Sequence, residues 1–205
     1  MQELRASGKV RAIGVSNFTI AHLKELIDDP ETHIIPAVNQ VEFHPLLFSV
    51  QRPLLEFCRE HGIVLQAYAP LGSTDGVSQV LNHPTLTAIA TKHRVTAAEV
   101  ALRWALNHGV SVIPKSSDPQ RIRANAAPSL LTGQHQPQMS SDQEKIGQPD
   151  DGVPGGSIAP ILSGACDWVL SSDEMEALNE ISGSSANVAS DVAAKRFCWD
   201  PTGIV

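Results

Sequence analysis

Tyrosine is almost absent from this sequence. Tyr68 is the single one among 205 residues, and aromatic residues together make up 4%. Any chemistry that needs a phenol therefore rests on one position. Basic charge is also short. The chain has 15 Lys and Arg against 22 Asp and Glu, a formal net charge of −7. That argues against the broad basic surface of a nucleic-acid binder, while leaving room for a small local phosphate site. No apolar run approaches the roughly 18–20 residues that cross a bilayer. Met1–Lys9 is polar and mixed in charge, unlike a secretory signal. The three cysteines, Cys58, Cys166 and Cys198, are odd in number and lack metal-ligand spacing. A reduced, cytoplasmic setting is the plain expectation. What is present is 42% hydrophobic content, enough in a chain of this length for one globular domain.

The apolar runs then alternate in kind. Val10–Val15 follows the turn Ser7-Gly8-Lys9 and reads as a buried strand. Thr19 caps a helix through about Asp28, with Leu23, Leu26 and Ile27 on one face. Ala37–Phe43 is the second strand. A helix follows from about Arg52 to His61, with Pro53 in its first turn and Gly62 just past its end. Ile63–Ala69 is the third strand, stopped by Pro70, and Pro84–His93 is a helical piece. Thr96-Ala97-Ala98-Glu99 is a capping box that opens a strong helix to Asn107. Val110–Ile113 is the fourth strand, and Asp118-Pro119 starts another helix. Strands alternating with helices imply a parallel sheet and an α/β fold. Ala127–Ala165 then turns rich in Pro, Gly, Ser and Gln without a sustained apolar period, and reads as a disordered insertion. Ser171-Ser172-Asp173-Glu174 caps a last helix through about Ile181. The tail beyond Gly183 is loop-like, with Phe197 and Trp199 as its large anchors.

Four segments, in order, resemble the aldo-keto reductase family. They are Gly8-Lys9-Val10-Arg11-Ala12-Ile13-Gly14-Val15-Ser16-Asn17-Phe18, Asn39-Gln40-Val41-Glu42-Phe43-His44-Pro45, Ala67-Tyr68-Ala69-Pro70-Leu71-Gly72-Ser73 and Ile113-Pro114-Lys115-Ser116. The resemblance covers Met1–Ala126 and Asp167–Ile181. It implies the C-terminal half of an eight-stranded (β/α)8 TIM barrel, about four βα units. Residues 1–126 would form the half-barrel, 127–165 the insertion, and 166–205 a C-terminal helix and tail of the same domain. In such barrels the working residues sit at the C-terminal ends of the strands.

By resemblance, Ser16, Asn17 and Gln40 hydrogen-bond a nicotinamide carboxamide, a group that needs both donors and acceptors. Tyr68 stacks on the nicotinamide, and Leu71 and Ser73 approach the pyrophosphate from a loop. Lys115, Ser116 and Arg121 clamp the 2′-phosphate of NADP(H), joined by the positive end of the Asp118-Pro119 helix. Asn125 contacts adenine. At Ala124 the family often has an acidic residue, which puts adenine or ribose contacts there in doubt. Taken singly, each residue has a plainer reading. Ser16-Asn17 is also a strand-to-helix turn, Tyr68 a packing group, and Lys115 and Arg121 solvated charges. His44 matches a structural position of the family rather than a catalytic one.

The family reduces small carbonyl compounds, or oxidises the alcohols, with a tyrosine acid, a lysine, an aspartate and a histidine from the first half of the barrel. Tyr68 already fills the stacking position, so this chain alone is expected to lack that catalytic set and to be inactive. A barrel of this kind takes about 250 residues, which suggests a truncated product or an incomplete gene model, with the insertion a translated intron. A genuine short protein with its own loop is the alternative. Its function would then be that of a non-catalytic NADP(H)-binding pseudoenzyme or a half-barrel interaction protein. No metal site, nucleic acid or membrane is expected as a partner. Because loop closure entropy grows only with the logarithm of length, deleting Ala127–Ala165 is expected to leave solubility and the thermal midpoint unchanged or improved. Circular dichroism melting checks this; a clear loss of folded protein would show that the segment covers core.

Overall fold

The computed structural model describes residues 1–126 and 168–182. The insertion expected at Ala127–Ala165 and the tail with Phe197 and Trp199 lie outside the described residues. The centre is a parallel sheet of β1 (Val15–Ser16), β2 (Val38–Glu42), β3 (Val64–Tyr68) and β4 (Ser111–Val112), in that spatial order. The register pairs Val15 with Asn39, Val38 with Val64, Glu42 with Tyr68, and Gln66 with Ser111. Side chains alternate across it. Asn39, Val41, Leu65 and Ala67 are buried under helices, while on the opposite face Val64 is 48% exposed and Gln66 and Tyr68 are half-buried. Parallel sheets bury both faces in complete folds. Among the described residues the helices cover one face of this sheet.

The helices are α1 (Gln2–Ala6), α2 (Ile20–Asp28), α3 (Phe48–Glu60), α4 (Ser73–Leu81), α5 (Pro84–His93), α6 (Ala97–Asn107), α7 (Pro119–Asn125) and α8 (Ser172–Asn179). Thr19, Thr96 and Ser171 each cap their helix in a reciprocal box with the residue three positions on, as the cap signals require. Several elements differ from the sequence expectation. Of the run Val10–Val15, only Val15 enters the ladder, with Ile13 accepting from the Ala37 N–H at 2.8 Å. Among the described residues β1 pairs with β2 alone, and Val10 and Ile13 are half-buried. α3 begins at Phe48, four residues early, because Phe48 and Gln51 are buried and the turn Pro45–Leu47 leads straight into it. Pro53 therefore lies inside the helix rather than in its first turn, on an exposed position. The lost backbone donor there faces solvent, which lowers the cost of an interior proline. α1 and α4 are additional elements. α1 buries nothing and is tied down by Gln2, which bonds the backbone of Glu31 and His33, both at 2.8 Å.

The core is one cluster that runs from Leu23 through Phe43, Phe48, Leu65 and Trp104 to Leu170, Leu178 and Ile181. The segment after the insertion is thus part of the same body. Trp104 stacks on Phe43 with centroids 5.1 Å apart and donates its indole N–H to Asn179 Oδ1 at 2.8 Å. A second fastening is ionic. Glu174 takes Lys92 Nζ at 2.7 Å and His93 Nε2 at 2.8 Å on one oxygen, and the Ser171 N–H at 2.8 Å on the other. Burial works to raise the Glu174 carboxyl, but the bonds from Lys92, Ser171 and His93 outweigh it and hold it at about 2, against an ordinary 4.5. A depressed carboxylate contributes stability that is fully present above about 4.5 and is lost as pH falls through about 2. Glu174→Gln is expected to lose about 1–2 kcal/mol at pH 7, since a charge-assisted bond is lost but the Lys92 end is open to solvent. Urea midpoints for wild type and variant across pH 7 to 2.5 check it: the gap closes toward acid, and a gap that ignores pH contradicts the assignment.

Candidate functional site

The strand ends carry the polar groups. β1 closes at Ser16, and Asn17 turns out of it in the left-handed region, with φ +59. Asparagine tolerates that conformation better than most residues. The Asn17 N–H and the Ser16 hydroxyl both donate to the Gln40 carbonyl, at 2.9 Å each. The Tyr68 hydroxyl donates to Asn17 Oδ1 at 3.1 Å. Ser16, Gln40, Gln66 and Ser111 form one register row across all four strands. Within that row Gln40 Nε2 donates to Gln66 Oε1 at 2.7 Å, and Gln66 Nε2 to Ser111 Oγ at 3.5 Å. The structure therefore brings together Ser16, Asn17, Gln40 and Tyr68, and adds Gln66, which the sequence reading passed over. Its signal was the alternation of β3, which puts positions 64, 66 and 68 on the face away from the helices. His44 is fully buried, its Nε2 3.4 Å from Glu42 Oε1, and the Gln51 side chain donates to the Glu42 carbonyl at 2.8 Å.

The turn after β3 is strained. Ala69 has φ +46, Gly72 φ +89 and Ser73 φ +57. Non-glycine residues held in this region cost roughly 1–3 kcal/mol each and persist only where their surroundings force them. Leu71 stays in the loop and packs on the core. Ser73, expected in the loop, is the first residue of α4. No side chain caps that helix, because Gly72 holds the cap position. The first-turn N–H groups of α4 are thus uncapped, unlike those of α2, α6 and α8.

The junction of β4 and α7 gathers Lys115, Ser116, Arg121 and Asn125. Lys115 and Arg121 are exposed; Ser116 and Asn125 are half-buried. The amides of Gln120 and Arg121 at the start of α7 are occupied. Asp118 Oδ1 accepts from the Gln120 N–H at 2.8 Å and the Arg121 N–H at 3.0 Å. Ser116 Oγ accepts from the Asp118 N–H at 3.1 Å. The Arg121 and Gln120 backbone donors hold the Asp118 carboxyl below its usual range, so it keeps its charge and its cap. The Arg121 guanidinium lies 3.8 Å from Asp118 Oδ2, a loose pairing on the surface. What this junction offers a ligand is side-chain charge. The side-chain hydrogen bonds of this junction stay within Ser116–Arg121. A cleft of about 510 Å³ opens beside Ser16, Asn17 and Phe18, walled by His22, Glu25, Leu26 and Asp29 of and after α2. Its two carboxylates make it a poor seat for phosphate.

The aldo/keto reductase family model matches residues 1–134. Glycerol 2-dehydrogenase (NADP(+)) of Saccharomyces cerevisiae is 46% identical over 125 residues, covering 61% of this chain and 39% of that protein. Glyoxal reductase of Bacillus subtilis is 49% identical over 126 residues, covering 62% and 43%. Among solved structures, MGS-M4, an aldo-keto reductase enzyme from a deep-sea metagenome library, superposes with a TM-score of 0.65 at 28% identity, covering 97% of this chain and 56% of that one. The chain thus spans about half or less of the length of the relatives it matches.

The strained turn can be tested without a ligand. A Cβ on Gly72 would meet Val80 Cγ2 at 2.7 Å and the Gly76 carbonyl at 2.8 Å, while one on Gly62, also left-handed at φ +68, would meet open space. Gly62→Ala is expected to cost about 1 kcal/mol from backbone conformation alone, and Gly72→Ala to add about 1–3 kcal/mol of overpacking. Chemical denaturation of the two variants measures the difference. Equal losses would mean that the approach of the loop to α4 is not a constraint.

Proposed function

This chain belongs to the aldo/keto reductase family, and we propose that its four strand ends bind NADP(H) for the oxidoreduction of a small carbonyl or alcohol. The observation that carries the reading is the Asn17–Tyr68 bond, which sets an amide and an aromatic ring side by side next to Ser16 and Gln40. Among the described residues Asn17 Nδ2 and Gln40 Oε1 have no hydrogen-bond partner, so one donor and one acceptor remain for a carboxamide. The Tyr68 ring offers the adjacent apolar face. Leu71, Ser73 and the uncapped start of α4 suit a pyrophosphate, since a helix N-terminus presents aligned N–H donors and positive potential. Lys115, Ser116 and Arg121 suit a 2′-phosphate by charge and geometry, with Asn125 toward adenine. When bound, the cofactor supplies or accepts hydride; these residues bind it, orient its ring and fix which face is presented.

The proposal places the Asp, Tyr, Lys and His set of the family outside these 205 residues. Tyr68 is the single tyrosine here and already serves Asn17, so no residue is left to be the tyrosine general acid. The chain by itself is then an NADP(H) binder and half of a barrel, and the activity belongs to a longer protein in a cytoplasmic setting. No described helix is long and apolar enough to cross a membrane.

Cofactor titration tests the reading. NADPH is expected to bind more tightly than NADH by one to two orders of magnitude, since each charge-assisted bond to the phosphate is worth roughly 1.5–3 kcal/mol. Lys115→Ala with Arg121→Ala removes that preference. A double variant that keeps it would show these two to be solvated charges. Aldehyde turnover by the chain alone that vanishes in Tyr68→Phe would overturn the stacking role of Tyr68.

A further inference from the structure

Asn39 sits on the helix-facing side of β2, where its neighbours are apolar. Its ladder partners are Val15 on β1 and Leu65 on β3. It is fully buried, a costly place for an amide unless every polar atom is bonded. Both ends of the amide go to one residue. Asn39 Oδ1 accepts from the Phe18 N–H at 3.3 Å, and Asn39 Nδ2 donates to the Phe18 carbonyl at 2.9 Å. The orientation of the amide is therefore fixed, because the reversed amide would set donor against donor and acceptor against acceptor. At Phe18 the chain has already left the sheet, since β1 ends at Ser16. The side chain of Asn39 thus replaces the strand ladder two residues past its end.

Between the ladder and this clamp lies Asn17. Its N–H is held by the Gln40 carbonyl at 2.9 Å, and the next residue is held at both backbone atoms by Asn39. A left-handed residue persists where its surroundings over-determine it, and Asn17, at φ +59, is pinned on both sides. Its side chain is thereby aimed at the Tyr68 hydroxyl. We propose that Asn39 is a positioning residue for nicotinamide recognition, which acts by locking the Asn17–Phe18 turn through a two-point clamp on the Phe18 backbone. This rests on the reading that Asn17 meets the carboxamide.

Asn39→Asp gives a signature that packing alone does not. The two side chains have nearly the same shape. An ionised Asp accepts from the Phe18 N–H but sets a carboxylate oxygen against the Phe18 carbonyl, whereas a protonated Asp regains the donor. Burial and that facing carbonyl both favour the protonated form. The titratable side chain in contact is Cys58 of α3, whose thiol burial pushes up to about 11 against the opposing bond from Asn39, so it stays neutral from pH 5 to 8. The experiment titrates the full chain with NADP+ and with 2′,5′-ADP, which carries the phosphate end but no nicotinamide, at pH 5.5 and pH 8. The ratio of the two affinities at each pH removes the titration of the 2′-phosphate they share; the 5′-phosphate, a monoester only in 2′,5′-ADP, also titrates in this range, so each variant's ratio is divided by the wild-type ratio at the same pH.

The wild-type ratio sets the reference at each pH, and the variants are read against it. In Asn39→Asp the NADP+ affinity falls about tenfold relative to 2′,5′-ADP at pH 8, the worth of about one hydrogen bond, and returns toward wild type at pH 5.5. Asn39→Leu loses it at both. A wild-type chain that binds 2′,5′-ADP and NADP+ equally removes the carboxamide reading, and this inference with it. A wild-type chain that favours NADP+, with an Asn39→Asp ratio unchanged at pH 8 or unresponsive to pH, overturns the positioning role alone. Should Asn39→Leu fail to fold, Asn39→Asp at pH 5.5 supplies the folded reference.

Discussion

The register between β2 and β3 is the constraint on which the rest depends. Among the described residues it is the longest ladder, five paired positions from Val38–Val64 to Glu42–Tyr68. It sets Gln40 level with Gln66 and Tyr68 level with the end of β2. A slip of one residue would turn every side chain of β3 to the other face. Tyr68 would enter the helix layer and Leu65 would leave it. The hydrophobic side prevents this, because Val41, Leu65 and Ala67 are buried in the cluster that also holds Phe43 and Trp104. Packing on one face of the sheet thus aims the polar groups on the other, which links an apolar core to a polar site.

Three devices then refine what the register places. Asn17, Ala69 and Ser73 hold left-handed backbones after the ends of β1 and β3, so strain gathers past the strand ends and is offset by packing elsewhere. The Asn39 amide extends the ladder past the end of β1. Capping also differs among helices: Thr19, Thr96 and Ser171 close theirs, whereas α4 begins uncapped at Gly72. The C-terminal segment enters as a support. Glu174 and Asn179 fasten α8 to α5 and α6, helices that back the sheet rather than line its mouth.

Much of this was legible in the sequence, for reasons that differ by element. The caps at Thr19, Thr96, Asp118 and Ser171 were readable because capping depends on side chains close in sequence. The order of strands and helices was readable from apolar period. The early start of α3 was not, since Phe48 and Gln51 are helical by virtue of contacts with distant parts of the chain. α4 was missed because Ser73-Thr74-Asp75-Gly76 is turn-like in composition, and its helix depends on the buried Gly76 and Val80. Val10–Val15 looked like core, but among the described residues β1 pairs with β2 alone, and Val10 and Ile13 are half-buried. At the site, the motifs marked Ser16, Asn17, Gln40 and Tyr68, and the structure sets these side by side. Gln66 and Asn39 could not be read in the same way, because their importance lies in bonds across strands. The occupied amides of α7 were foreseeable in part, since Asp118 was read as a cap, and a cap uses the donors that a phosphate would need.

Under the proposed function, the two halves of a dinucleotide sit at separate places along the strand ends. Amide spectra of the 15N-labelled chain, recorded with nicotinamide mononucleotide and with 2′,5′-ADP in turn, distinguish them. Nicotinamide mononucleotide is expected to shift Ser16, Asn17 and Tyr68, and 2′,5′-ADP to shift Ser116, Arg121 and Asn125, with little overlap. Shifts centred instead on His22, Glu25 and Asp29 in the cleft beside α2, or the same residues moving with both fragments, would contradict that placement.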